Sequence, residues 1–225
     1  MDDANAQFDP PEVDCQYCPR LVSFRDENRA RHPDFHNAPV KSFGPLSARL
    51  LVVGLAPGLR GANCTGRPFT GDAAGDLLYA ALDSFGFSDG TYQARANDGL
   101  RLVNCRITNA VRCVPPQNKP VATEIRQCRD FLTGEIGSMP RLEAILALGR
   151  IAHEAVIAVA RARRADYPFA HGAVHALDDG LTLYDSYHCS RYNINTRRLT
   201  PAMFAAVFSD IQDYLRSSAS TAATI

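Results

Sequence analysis

The stretch Arg49-Leu-Leu-Val-Val-Gly-Leu-Ala-Pro-Gly58 decides how the rest of the chain is read. A strand with one wet face would alternate apolar and polar residues, whereas this run is apolar throughout and stops at glycine and proline. It therefore reads as a strand buried on both faces that delivers the chain into a loop. Downstream, Gly71-Asp72 opens an amphipathic helix through Leu77, Leu78, Ala81, Leu82 and Phe85, with Asp72 suited to the N-cap. Further strands are expected over residues 101–109, 143–148 and 181–187, and helices over 121–136, 150–164 and 200–216. Thr200-Pro201 supplies a cap and a first-turn proline for the last helix. Strands alternating with helices indicate βαβ units, hence an α/β fold: three layers, αβα, around a central four-stranded, mainly parallel sheet.

Residues 1–47 lack periodicity and contain Pro10, Pro11, Pro19, Pro33, Pro39 and Pro45. They read as a meandering arm with one helical turn over 21–31, which something other than a core must tie down. Residues 1–216 are expected to form one domain, and the small, polar residues 217–225 a flexible tail. At 225 residues, with 46% hydrophobic and 21% charged residues, the chain is neither disordered nor a coiled coil. No apolar run approaches the ~18 residues of a membrane span, so no membrane partner is expected. The opening Met1-Asp2-Asp3-Ala4 is acidic where a secretory leader would be basic, which points to the cytoplasm. Lys+Arg and Asp+Glu both number 24, so any anionic partner must be met by a local basic patch.

The seven cysteines, an odd number, argue against a disulfide framework. Cys15-Gln-Tyr-Cys18 has ligand spacing, and Cys113 and Cys128 form a second pair. Four thiolates satisfy zinc or an iron–sulfur cluster; the competing reading is that Cys113 and Cys128 are buried fillers. The unpacked arm favours a metal, because a site joining residues 15 and 18 to 113 and 128 would tether it.

Ligands of parallel sheets gather at the carboxyl ends of the strands, which collects three loops on one rim. The first holds Gly54, Ala56 and Gly58, then Phe69, an aromatic among small and polar residues suited to stacking on a flat ring. Neither a dinucleotide fingerprint nor a P-loop can be laid on it. The second presents Asn109, whose amide can read a base edge or cap its own turn. The third presents His188, a hydrogen-bond donor or acid, followed by Arg191, Arg197 and Arg198, a basic cluster or an ordinary solvated face.

Four motifs in this order, Gly54-Leu-Ala-Pro-Gly58, Gly66-Arg-Pro-Phe-Thr-Gly-Asp-Ala-Ala-Gly75, Ile107-Thr-Asn-Ala-Val-Arg-Cys-Val-Pro-Pro-Gln-Asn-Lys-Pro120 and His188-Cys-Ser-Arg-Tyr-Asn-Ile-Asn-Thr-Arg-Arg-Leu-Thr200, resemble the uracil-DNA glycosylase superfamily. The match is best to its family 5, the iron–sulfur enzymes called type b. The resemblance implies a monofunctional DNA glycosylase that flips uracil, or another deaminated base such as hypoxanthine, out of DNA. It would hydrolyse the N-glycosidic bond to leave an abasic site, the start of base excision repair. It implies a [4Fe–4S] cluster on Cys15, Cys18, Cys113 and Cys128. Asp72, Asn109 and His188 become the catalytic residues, with Gly54, Ala56, Gly58, Phe69, Arg191 and Asn195 around the base. Arg191, Tyr192, Arg197 and Arg198 would contact DNA, with Tyr192 and Ile194 as a wedge, and the enzyme is expected to act as a monomer. Two departures stand out. Leu55 takes the place where many relatives carry a water-aligning polar residue, a feature shared with family 5, and Cys189 replaces the family's usual proline. The alternatives are a uracil-specific family 4-like enzyme and a metal-stabilised module that binds lesions without cutting.

Overall fold

The computed structural model describes residues 8–222, with side chains through residue 219. In chain order the elements are α1 (Pro19–Arg31), β1 (Leu50–Gly54), α2 (Ala62–Thr65), α3 (Ala73–Ser84), β2 (Ser88–Asp89), β3 (Arg101–Leu102), β4 (Cys105–Asn109), α4 (Ala122–Gly137), β5 (Ala144–Leu148), α5 (Arg150–Val159), β6 (Val174–Ala176), β7 (Thr182–Ser186), α6 (Arg191–Asn195) and α7 (Pro201–Ala222). The main sheet runs β4-β1-β5-β7-β6. Its first four strands are parallel and β6 is antiparallel to β7. The expected four parallel strands and three layers are present, and β6 corrects the strand number to five. At three residues, β6 was too short to give a period.

Strand β1 shows why an unbroken apolar run was required. Leu50 and Val52 pack with Leu78, Leu82, Phe204 and Phe208 of α3 and α7. Leu51 and Val53 pack on the other face with Leu132 of α4 and Val156 of α5. All four β1 side chains are fully buried, each contributing about 1.5–3 kcal/mol of transfer free energy.

Other boundaries moved for local reasons. The expected strand over 101–109 breaks at Asn104, whose φ of +53° cannot continue a strand. Its first part pairs with β2 instead. Helix α5 ends at Val159, short of residue 164, and Arg161 adopts φ +55°. The expected tail over 217–225 is helical as far as Ala222, while residues 223–225 lie outside the described part.

The arm, of which residues 1–7 likewise lie outside the described part, is packed in its own right. Leu21, Ala38 and Val40 are buried. Phe43 bridges Ile107 through two backbone hydrogen bonds of 2.9 and 2.8 Å, and the Val40 amide donates to the Arg112 carbonyl at 2.8 Å. A buried ionic knot completes the attachment. Glu135 of α4 is wholly buried and accepts from Arg106 Nε and Arg112 Nη2, each at 2.5 Å. Thr108 Oγ1 donates to it at 2.8 Å, and Arg112 Nη1 reaches Ser42 of the arm at 2.6 Å. Burial pushes the Glu135 carboxyl up, but Arg112 and Arg106 outweigh it and hold the group below its ordinary value. The expectation of a single helical turn tied down by something other than a core is thus corrected: α1 runs for 13 residues, and buried side chains fasten the arm.

Candidate active site

Parallel pairing sets Gly54 beside Asn109 at the carboxyl ends of β1 and β4. Above them opens a cavity of about 400 Å³, a size suited to a small ligand. Leu55, Ala56, Gly58, Phe69, Asp72, Asn109, Asn118, His188, Ser190 and Arg191 contribute to its lining. Gly54 lies beneath the lining, where a Cβ would collide with the Asn109 amide oxygen and the Phe69 ring. It is what lets those two side chains meet.

Phe69 is buried and adopts φ +51°, unusual for a bulky residue. Such a conformation costs about 1–3 kcal/mol and must be imposed by its surroundings. Tyr92 Oη donates to the Phe69 carbonyl at 3.3 Å, and Arg67 anchors the loop by a bidentate pair with Asp98, both bonds 2.7 Å. The Arg67 guanidinium also lies over the rings of Phe43, Tyr79 and Tyr92. The Phe69 ring stacks 5.9 Å from the His188 ring, at 29°.

Asp72 caps α3 as its position implied: Oδ1 accepts from the Ala74 and Gly75 amides, each at 3.1 Å. Its other oxygen, Oδ2, faces the first loop, where a Cβ at Gly61 would strike it. One carboxylate oxygen therefore serves the helix while the second faces the loop that forms the cavity wall. Burial lowers the His188 imidazole below its ordinary value, against the opposing pull of Asp72. His188 is thus held neutral, able to donate from one ring nitrogen. Among the described residues, neither the Asn109 amide nor the His188 ring nitrogens have a hydrogen-bond partner.

Cys189, the departure beside His188, is fully buried and its thiol donates to the Ala74 carbonyl at 3.4 Å. That bond ties the third loop to the first turn of α3. Short helix α6 follows, capped by Ser190. Arg191 reaches the cavity, whereas Asn195 is exposed and lies away from the lining. Tyr192 is 71% exposed, with Arg197 and Arg198 exposed nearby. Arg198 sits 4.5 Å over the Tyr187 ring in an adjoining cleft that shares His188. The basic cluster anticipated from zero net charge thus borders the cavity.

Asn118, Ser190 and Arg67 were not singled out from the sequence. Asn118 enters the lining through a turn in which Gln117 and Asn118 both have positive φ. The signal available was an asparagine in the Pro-Pro-Gln-Asn-Lys-Pro turn, since asparagine tolerates that conformation.

Cys15, Cys18, Cys113 and Cys128 converge on a separate small cavity, with Leu21 and Phe131 beside them. All four are free thiols. Burial, then Cys128, Glu124 and Cys15, pushes the Cys18 thiol up to about 11. Burial and the other three cysteines push Cys113 up to about 12, with only Arg25 opposing. Thiols that raise one another's values suit a positively charged centre, which would reverse the effect. Ala56 packs against this group and also lines the larger cavity.

Comparison with known proteins gives the family of the chain. The family model described as "Uracil DNA glycosylase superfamily" matches residues 41–212. A type-5 uracil-DNA glycosylase of Thermus thermophilus is 45% identical over 87% of this chain and 91% of its own length. One of Pyrobaculum aerophilum is 41% identical over 87% and 86%. A type-4 uracil-DNA glycosylase of Archaeoglobus fulgidus is 34% identical over only 57% and 58%. The chain belongs to the uracil DNA glycosylase superfamily, within its type-5 branch.

Proposed function

We propose that the chain removes uracil from DNA, and other deaminated bases such as hypoxanthine, by hydrolysing the bond between base and deoxyribose. That it is a DNA glycosylase acting in repair follows from its family. The observation that carries the residue assignments is the convergence of Phe69, Asn109, His188 and Asp72 on one cavity.

The base must leave the stack to reach that cavity, at a cost of a few kcal/mol that is smaller for a mispaired base. Phe69 stacks on it and Asn109 pairs with its polar edge. As the C1′–N bond breaks, its electron pair moves onto the base and a carbonyl oxygen becomes anionic. Neutral His188 donates to that oxygen, stabilising charge as it develops. The sugar becomes oxocarbenium-like, and water adds to C1′. Asp72, through the oxygen that does not cap α3, orients this water and takes its proton. Arg191, Arg197 and Arg198 neutralise phosphates, while Tyr192 fills the vacated stack. Ala56 and Gly58 leave room for the base in the cavity wall, and Gly54 beneath it lets Asn109 and Phe69 meet; Asn195, expected around the base, lies outside the lining.

Cys15, Cys18, Cys113 and Cys128 would hold a [4Fe–4S] cluster. When bound, it supplies covalent links between the arm, the loop after β4 and helix α4. Their spacing supports this: among the described residues, the one set of His, Cys, Asp or Glu ligand atoms within 4.8 Å of one another lies elsewhere. Four sulfurs on one zinc, at about 2.3 Å, would be closer to one another than that. Cluster loading is read as broad visible absorption together with iron content. The enzyme acts as a monomer, read by light scattering.

The deciding experiment incubates purified protein with duplexes carrying uracil opposite guanine, or hypoxanthine, and then cleaves abasic sites. Strand scission with both substrates is expected. Scission at uracil alone would reduce the reading to a uracil-specific enzyme. Intact strands at enzyme excess, with binding retained, would make the chain a lesion-binding module.

A further inference from the structure

On the face of the sheet packed by α4 and α5, His153, His175 and Asp185 bring one ligand atom each to within 4.8 Å of the others. They come from three elements, α5, β6 and β7. Asp185 is wholly buried, His153 is 2% exposed, and the His175 side chain is 12% exposed. The cavity chemistry uses none of them.

The hydrogen bonding at this cluster is incomplete in a particular way. His153 Nε2 lies 2.9 Å from the Tyr167 carbonyl, and its Nδ1 lies 2.9 Å from Asp185 Oδ1. Two acceptors flank a ring that, when neutral, has one N–H. With Nε2–H on the carbonyl, the Nδ1 lone pair faces a carboxylate. Across the same carboxylate, His175 Nε2 stands 3.4 Å from Asp185 Oδ2, and neither atom has a hydrogen-bond partner. Two buried, unpartnered polar atoms facing each other cost free energy unless something between them is shared.

We infer that this is a site for a divalent first-row transition ion of the zinc type, bound by His153 Nδ1, His175 Nε2 and the Asp185 carboxylate. Two ligands at about 2.0–2.1 Å from one tetrahedral ion stand about 3.4 Å apart, matching the His175–Asp185 separation. The Tyr167 carbonyl occupies the outer position that ligating histidines usually satisfy with their second N–H. Tyr167 and Phe169 set their rings edge-on to the two imidazoles and screen the site. A mixed imidazole and carboxylate set selects such ions over calcium or magnesium, which prefer oxygen alone. The ion would fasten β6, a three-residue edge strand, to β7 and α5, where three ladder positions alone hold it weakly.

The test uses the full chain, purified without chelator and exposed to zinc, with metal content and zinc-edge X-ray absorption as readouts. One equivalent of zinc with nitrogen and oxygen neighbours at about 2.0 Å is expected; sulfur neighbours at about 2.3 Å would put the zinc on the cysteines and overturn the inference. His175→Ala, at the accessible side, is expected to weaken zinc more than the about 10–100-fold typical of changes outside the coordination shell. Zinc is expected to raise the wild-type melting temperature and leave that of His175→Ala unchanged. Absence of zinc binding, or nitrogen NMR showing His153 protonated on both ring nitrogens and indifferent to added zinc, would make the cluster a purely hydrogen-bonded one.

Discussion

The cavity and the knot around Glu135 both bury polar side chains against the same strand, β4, and they are wired in opposite ways. Glu135 has a guanidinium on each oxygen and a threonine hydroxyl besides. Asn109, one residue beyond Thr108, has an amide with no partner among the described residues. Desolvated polar groups are costly when unmatched, so an amide left open at a cavity wall favours a ligand that completes it. The Glu135 carboxylate has its partners within the protein, whereas the Asn109 amide faces a cavity with its partners still to come.

That contrast can be broken first at the knot. Glu135→Ala leaves Arg106 and Arg112 buried without their anion, and about 3–5 kcal/mol of stability should be lost, measured by denaturant unfolding. A loss below 1 kcal/mol would remove the knot from the scaffold. At the cavity the sign should reverse. Asn109→Ala or His188→Ala should cost about 10²–10³ in single-turnover excision with little change in melting temperature, since neither side chain has a protein bond to lose. A matching fall in stability would mean these groups are structural after all.

Asp72 lies between the two cases, with one oxygen committed and one not. Asp72→Ala should cost about 1 kcal/mol through the cap and should also slow excision. Asp72→Asn keeps the cap, so a variant with full stability and slow excision isolates the second oxygen. Removing its charge also removes the pull that raises His188, so the His188 NMR titration midpoint should fall further below its ordinary 6.5. An unmoved midpoint would separate the two residues.

A smaller effect concerns pH and stability. Because burial lowers His188 in the folded chain, the unfolded chain takes up its proton first as pH falls below about 6.5. Stability should decline from there until the folded value is reached, with no further contribution from His188 below it. Melting curves of wild type and His188→Gln across this window test the point; parallel pH profiles would refute it. The smallest effect is expected at exposed Tyr192, where Tyr192→Ala should change stability by less than about 0.5 kcal/mol yet weaken binding to a uracil duplex. Arg197→Ala and Arg198→Ala should each flatten the salt dependence of DNA binding by about 0.9 in log–log slope if each neutralises a phosphate.

Much of the fold was legible because burial on both faces leaves its mark on sequence. The run at residues 50–54, the Asp72 cap and the Thr200-Pro201 start announce themselves through local pattern. The breaks at Asn104 and Arg161 were not legible, since a positive φ in a non-glycine residue is imposed by neighbours. The cavity was legible as a set of loop residues, but Asn118 and Ser190 were not, because nothing in their own neighbourhood marks them. Nothing local marked what Cys189 does in place of proline, since the carbonyl its thiol meets, that of Ala74, is distant in sequence.

The sequence by itself determined the α/β class, the order of the layers, the loops that meet on one rim, and the cysteines able to share a centre. Periodicity, capping and ligand spacing are short-range properties, so they survive in one dimension. Only the tertiary structure decided which polar groups are satisfied. That question separates Glu135 from Asn109 and brings His153, His175 and Asp185 together. Hydrogen-bond satisfaction depends on what faces a group across the fold, and those partners are dozens of residues away along the chain.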